Sequence, residues 1–154
     1  MPKAKTFAEA KIIVYRLLKI RLRSQKEVRD KLKQREFDQS VIDQTLDYFL
    51  GAKLLDDREF AHQWIKWRAA KPLGINRIKF ELKEKGIGPE ILDKALADFK
   101  EEFSEEEIVL ALARRRKEIS KEKDPVKLNQ RLYGYLSRRG FSVTSIVKAL
   151  KKIC

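Results

Sequence analysis

The sequence predicts an all-α fold of three tandem three-helix repeats that form an elongated, curved modular domain. Apolar residues recur at spacings of three and four along the 154-residue chain, as they do on the buried face of a helix. There is no sustained alternation of apolar and polar residues that would indicate a strand. Six Gly and four Pro are few for a loop-rich protein, and a single Cys excludes a disulfide framework.

Capping signals mark where the helices begin and end. A Ser or Thr followed three residues later by Glu forms a capping box, in which each side chain satisfies an amide at the helix start. Such boxes begin at Thr6, Ser24 and Ser104. Pro89 and Pro125 suit the first position of a helix, where the missing N–H costs nothing. Gly86 and Gly140 suit helix C-termini that need a positive φ.

The helices repeat at a regular interval. Residues 24–49 align with residues 74–99 at an offset of 50 without a gap, and a third copy follows at an offset of 54. We therefore predict repeats at residues 1–55, 56–101 and 102–154. Units of about 50 residues bury little apolar surface alone, so neighbouring units should pack together.

The alignment also separates core positions from surface positions. Trp64 and Trp67 fall on the apolar positions of Val14 and Leu17, which predicts that both indoles belong to the core. Glu36 stands where the later repeats have glycine, and a positive φ there would cost strain.

Three aromatic residues fall where sister repeats carry charged residues, which makes them candidates for contact with bases or with a protein partner. They are Phe80, Tyr133 and Tyr135. Single exposed aromatic residues are also ordinary on protein surfaces, and that reading stays open.

The charge balance favours an acidic partner. Lys and Arg total 36 against 23 Asp and Glu, a net charge of +13. Residues 125–154 hold seven basic residues and no acidic one. A surface that only needs to be soluble mixes both signs, so this segment indicates a binding surface for an anion.

Catalysis has little support in the sequence. The chain has one His, His62, and its one Cys is the terminal Cys154. No phosphate-binding loop is present, and Asp56-Asp57 fits a helix N-cap better than a metal site. We predict no catalytic residue, no metal and no cofactor. No apolar run approaches the roughly 20 residues that span a bilayer, so we predict no membrane contact. A cytoplasmic location is the default expectation, and we further predict a monomer.

Three segments in order carry a family resemblance. The first is LLDDREFA at residues 54–61, and the second is GINRI at residues 74–78 with EL at 81–82 and KGI at 85–87. The third is RLYGYL at residues 131–136 followed by RRGF at 138–141. With these segments the chain resembles RecX, the regulatory protein of bacterial RecA recombinase, from about residue 8 to residue 153.

The resemblance implies a modular helical protein that binds RecA, especially the RecA–DNA filament along its groove. It further implies inhibition of filament growth, and with it of ATP hydrolysis, strand exchange and co-protease activity, in DNA repair and the SOS response. Binding to single- and double-stranded DNA is implied less uniformly.

Charge and resemblance together predict that the outer repeats hold the filament. The predicted binding residues are Lys19, Arg21, Arg23, Arg115, Arg116, Arg131, Arg138, Arg139, Lys148, Lys151 and Lys152. The same residues also suit a stand-alone DNA-binding module without RecA contact, or a solvated surface without a role. The sequence leaves these alternatives open.

Overall fold

The computed structural model describes residues 4–99 and 104–154, and these residues form nine α-helices and no strand. The all-helical prediction is therefore confirmed for the described part of the chain. The helices are α1 Phe7–Ile20, α2 Gln25–Gln34, α3 Gln39–Gly51, α4 Asp57–Ala69, α5 Ile75–Glu84, α6 Pro89–Asp98, α7 Glu105–Ile119, α8 Pro125–Arg138 and α9 Val143–Ile153. In the described ranges, no helix is both long and apolar enough to cross a membrane.

The chain divides into two compact units. One comprises the chain up to Gln63 together with Leu82–Leu92, and the other comprises Trp64–Glu81 together with Asp93–Cys154. The division passes through α4, α5 and α6, so the middle helices contribute to both units. The predicted boundary at residues 101 and 102 lies outside the described residues.

Helices α1, α2 and α3 enclose the core of the first unit. Val14, Val28 and Phe49 are fully buried there, with Leu32 and Ile42 beside them. These residues recur at helical spacing on three separate helices, so each helix turns one apolar face inward.

Helices α7, α8 and α9 enclose the corresponding core of the second unit. Its buried residues include Val109, Leu132, Leu136, Phe141 and Ile146. These residues again lie at helical spacing, so α7, α8 and α9 each turn one apolar face inward.

The predicted helix boundaries follow from local hydrogen bonds. Thr6 accepts from the N–H of Glu9, whose carboxylate accepts from the N–H of Thr6, which completes the capping box. Pro89 and Pro125 are the first residues of α6 and α8, as predicted.

Three equivalent turns have a positive φ. Gly86 has φ 79° and Gly140 has φ 88°, as predicted from their positions after α5 and α8. Glu36 occupies the same place after α2 with φ 63°, so the left-handed turn is kept although the residue is not glycine. A side chain in this region is strained by about 1–2 kcal/mol.

The prediction that Trp67 belongs to the core is wrong. Its side chain is 54% exposed, whereas Ile65 on the same helix is 2% exposed. Ile65 takes the inward position, and the Trp67 ring packs edge-on against the half-buried Trp64 at a centroid distance of 5.3 Å. Two adjacent indoles are too bulky to share the space that Val14 and Leu17 occupy in the first repeat.

The start of α2 packs against the α5–α6 turn within the first unit. Ser24 Oγ donates to the carbonyl of Lys85 at 2.7 Å, and the Gln25 N–H donates to the Asp57 carboxylate at 2.9 Å. A Cβ on Gly86 would lie 2.6 Å from the Cβ of Lys26, so the turn approaches the helix closely. Asp57, the first residue of α4, therefore caps the start of α2.

The second unit contains an equivalent joint one repeat later. The Gly74 N–H donates to the carbonyl of Arg139, and the Asn76 N–H donates to the carbonyl of Gly140, both at 3.0 Å. Glu105, the first residue of α7, accepts from the N–H of Ile75 at 3.1 Å. The start of α5 thus meets the α8–α9 turn as the start of α2 meets the α5–α6 turn.

Candidate nucleic-acid interface

A basic groove lies between the C-terminal end of α7, the link after it and α8. Its volume is about 530 Å³. Four cationic side chains and one aromatic ring line it together with apolar and uncharged polar residues. The charged and aromatic lining consists of Arg116, Lys121, Arg131, Arg138 and Tyr135. The groove therefore offers cations for phosphates and a ring for a base.

Tyr135 is placed by the core and by two guanidinium groups. Its half-buried ring packs against the apolar cluster of α7–α9. The guanidinium carbon of Arg116 lies 4.7 Å from the ring centroid, and that of Arg139 lies 5.0 Å from it. Both are within the range of a cation–π interaction. Tyr135 thus holds two cations at one point of the surface.

Two further arginines complete the groove. Arg131 pairs with Glu122 at 3.1 Å, so one carboxylate of the link orients its guanidinium. Arg138 passes close to Gly134: a Cβ on Gly134 would lie 3.1 Å from Nη1 of Arg138. The absence of a side chain at residue 134 leaves this guanidinium room along the groove.

The predicted basic residues of α9 lie outside this groove. Lys148 donates to Glu106 at 2.9 Å, and this bond holds the pKa of Glu106 below its ordinary value. Lys151 and Tyr133 line a second, more apolar groove of about 580 Å³ between α8 and α9. Lys152 and Arg115 are exposed. The structure therefore groups Arg116, Arg131, Arg138 and Tyr135 in one groove.

The predicted basic residues of the first unit have different surroundings. Arg21 pairs with the Glu27 carboxylate at 2.6 Å, and Arg23 lies 3.6 Å from it. Burial is the main cause that lowers the pKa of Arg23. Lys19 is exposed at the end of α1. Two of these three cations thus share one carboxylate of α2.

Sequence reasoning missed two surface residues of the second unit. Lys121 lines the groove with the predicted arginines. Trp67 is exposed and has the Lys71 ammonium 5.0 Å from its ring centroid. The available signal was a basic residue close to the indole in sequence, because Lys71 lies in the turn two residues beyond the end of α4.

The fold and the groove define a class: modular all-helical proteins with three-helix domains and a basic surface. The sequence matches the family models for the first, second and third three-helix domains of RecX at residues 10–49, 56–96 and 104–150, respectively. The chain belongs to the RecX family.

Curated relatives share most of the chain. It is 34% identical over 142 residues to the regulatory protein RecX of Chlorobium phaeobacteroides, with 92% of this chain and 91% of the relative covered. It is 28% identical over 155 residues to that of Clostridium beijerinckii, covering 99% of this chain and 72% of the relative.

Solved structures share the fold. A crystal structure of RecX from Lactobacillus salivarius superposes with a TM-score of 0.82 at 21% identity and covers 96% of both chains. A second crystal structure of a regulatory protein RecX gives a TM-score of 0.84 at 24% identity, with 95% of this chain and 73% of the other covered.

Proposed function

We propose that this chain regulates RecA recombinase by binding the RecA–DNA filament. Binding limits extension of the filament, and with it ATP hydrolysis, strand exchange and co-protease activity. Membership of the RecX family and the regulatory names of its relatives support this proposal. The resemblance supplies RecA as the partner.

The observation that carries the proposal is that the guanidinium carbons of Arg116 and Arg139 lie 4.7 and 5.0 Å from the centroid of the Tyr135 ring. A nucleoprotein filament presents phosphates and bases within protein walls. Arginines in the groove can neutralise phosphates, and each such contact releases counterions. We therefore expect inhibition to weaken steeply as the salt concentration rises.

The same groove supports a second candidate, a stand-alone DNA-binding module. Aromatic rings beside cations bind single strands with little sequence preference. Such a module would inhibit RecA only by covering the DNA. The two candidates therefore differ in how much protein is needed for inhibition.

The deciding experiment measures RecA ATPase on single-stranded DNA while this protein is added in amounts too small to coat the DNA, at two salt concentrations. Regulation through the filament predicts inhibition at these substoichiometric amounts. Inhibition that tracks only the fraction of DNA covered would contradict the RecA proposal and favour the DNA-binding module.

Charge reversal tests the groove. The double variant Arg138→Glu, Arg139→Glu should lose most of the inhibition at moderate salt. Its control is Lys33→Glu, Arg35→Glu, because Arg35 is the C-cap of α2 as Arg139 is the C-cap of α8. The control matches the change in charge and the cost of acids at a helix C-terminus. Equal inhibition by both double variants would show that the groove has no special role.

A further inference from the structure

The indole ring of Trp67 is exposed on the surface of α4, although tryptophan side chains in proteins are on average largely buried. The side chain is 54% exposed. Its ring rests edge-on against Trp64, whose Nε1 donates to Glu81 at 2.9 Å. A ring fixed in this way loses little freedom when a flat ligand stacks on it.

Two cations lie over the Trp67 ring. The Lys71 ammonium is 5.0 Å from the centroid, and the Arg68 guanidinium carbon is 5.4 Å from it. Arg68 also binds Glu81 in a bidentate pair, with contacts of 2.5 and 2.9 Å, which holds it in place. Lys71 has a flexible four-carbon stem, so its ammonium can move from the ring to a phosphate.

Within the second unit, residues next to Trp67 contact residues next to Tyr135. Pro72, which follows Lys71, accepts at its carbonyl a hydrogen bond from Nη1 of Arg139 at 3.5 Å. Arg139 in turn lies 5.0 Å from the centroid of Tyr135. A chain of contacts through Lys71, Pro72 and Arg139 therefore links the two rings.

We propose that Trp67 is a base-stacking site for single-stranded nucleic acid, on one track with Tyr135. The inference rests on the proposed binding of nucleic acid and adds a residue to it. Every base has a π-face, so an exposed indole binds single strands without sequence preference. The cations beside the ring favour a polyanion over a neutral protein surface as the ligand.

Tryptophan fluorescence tests the site directly, because the chain has two Trp residues. Trp64→Phe leaves Trp67 as the reporter, and Trp67→Phe leaves the half-buried Trp64. Titration with a short oligo(dT) should quench the fluorescence of the Trp64→Phe variant and leave that of the Trp67→Phe variant nearly unchanged. Pyrophosphate serves as an anion without bases and should quench neither variant.

Affinity separates stacking from charge. Trp67→Ala should bind oligo(dT) about 5-fold to 150-fold more weakly, the range that loss of one aromatic stacking partner gives. Its salt dependence should be unchanged. Lys71→Gln should instead lower the slope of log affinity against log salt by about 0.7, because one phosphate contact is lost. Thermal melts followed by circular dichroism check that the variants fold.

Three results would overturn the inference. Fluorescence anisotropy could show that the oligonucleotide binds while Trp67 emission stays constant. That result would overturn stacking on Trp67 but leave the proposed nucleic-acid binding intact. Trp67→Ala could keep full oligo(dT) affinity but lose RecA inhibition, which would make Trp67 a protein contact. Absence of any binding by the unmodified chain at low salt would overturn both the inference and the nucleic-acid part of the proposed function.

Discussion

Gly74 lies against Gly140, and a Cβ built on Gly74 would be 2.2 Å from the carbonyl carbon of Gly140. The atoms nearest to this Cβ position are backbone atoms of Gly140 and Phe141, and backbone cannot rotate away as a flexible side chain can. The close approach lets the Gly74 N–H reach the carbonyl of Arg139. The joint in the second unit therefore depends on the lack of a side chain at residue 74.

Gly74→Ala should destabilise the protein by about 1–3 kcal/mol, the usual cost of forcing an extra methyl group into a packed site. Gly51→Ala is the matched control, because nothing lies within 4 Å of a Cβ there. Gly51 ends α3, so its replacement should be neutral or slightly stabilising. Urea denaturation of both variants measures the difference. Equal stabilities would mean that the turn shifts to admit the methyl group.

Glu36→Gly should stabilise the chain by up to about 1 kcal/mol. Glu36 has a φ of 63°, and glycine removes the strain of that conformation, although it also adds freedom to the unfolded chain. The reverse change in the equivalent turn, Gly140→Ala, should destabilise, because its Cβ would lie 2.5 Å from the backbone nitrogen of Arg77. The measurement is the free energy of unfolding of each variant.

Asp57 should make stability depend on pH. Burial is the main cause that raises its pKa above 3.8, although the hydrogen bond from Gln25 opposes the shift. Between the ordinary and the raised pKa the folded chain binds more protons than the unfolded chain, so this group lowers stability as pH rises through that window.

Asp57→Asn should remove this contribution, because the amide does not titrate and still accepts from Gln25. Its stability relative to the unmodified chain should rise with pH from 3.8 upward and then level off. Denaturation across a pH series tests this, with the exposed Asp47→Asn as the control. A constant difference at every pH would contradict the assignment.

Glu105 should matter more than an ordinary acid in the first turn of a helix. Its carboxylate accepts from the N–H of Ile75 at 3.1 Å and from the N–H of Ser142 at 2.6 Å. Glu105→Ala should cost about 1.5–3 kcal/mol, the range for a hydrogen bond to a charged group. Glu90→Ala removes an exposed acid from the first turn of α6 and is the control. Similar losses in both would show that only the helix dipole is involved.

Local signals in the sequence predicted the helices, because a cap or a left-handed turn involves neighbouring residues. The capping box at Thr6 and the positive φ of Gly86 and Gly140 depend on contacts a few residues apart. The joints could not be predicted in this way. Asp57 is 32 residues from Gln25, and which carboxylate reaches which amide depends on the packing of whole helices.

The sequence predicted only part of the site, because some of its contacts also depend on how whole helices pack. Charge counts singled out the third repeat, where Arg116, Arg131 and Arg138 share a groove. The alignment misplaced Trp67, because a repeat fixes the register of a helix but not the volume available inside it. Pairing of Arg21 with Glu27 likewise depends on the approach of two helices.

The start of α8 differs from the starts of α2 and α5 in the hydrogen bonds that its first residue can make. Each earlier helix begins with an N–H that is donated to a carboxylate of a following helix, at Gln25 and Ile75. Helix α8 has 14 residues against 10 in α2 and α5, and it begins with Pro125, which has no N–H to donate. Its own Asp124 caps it instead.

A duplicate of the second repeat spliced between existing repeats would therefore find a matching partner on each side. The same duplicate fused after α9 would meet a helix start that offers it no donor. Replacing the first turn of α8, which begins with Pro125, by that of α5 would give this helix start an N–H to donate.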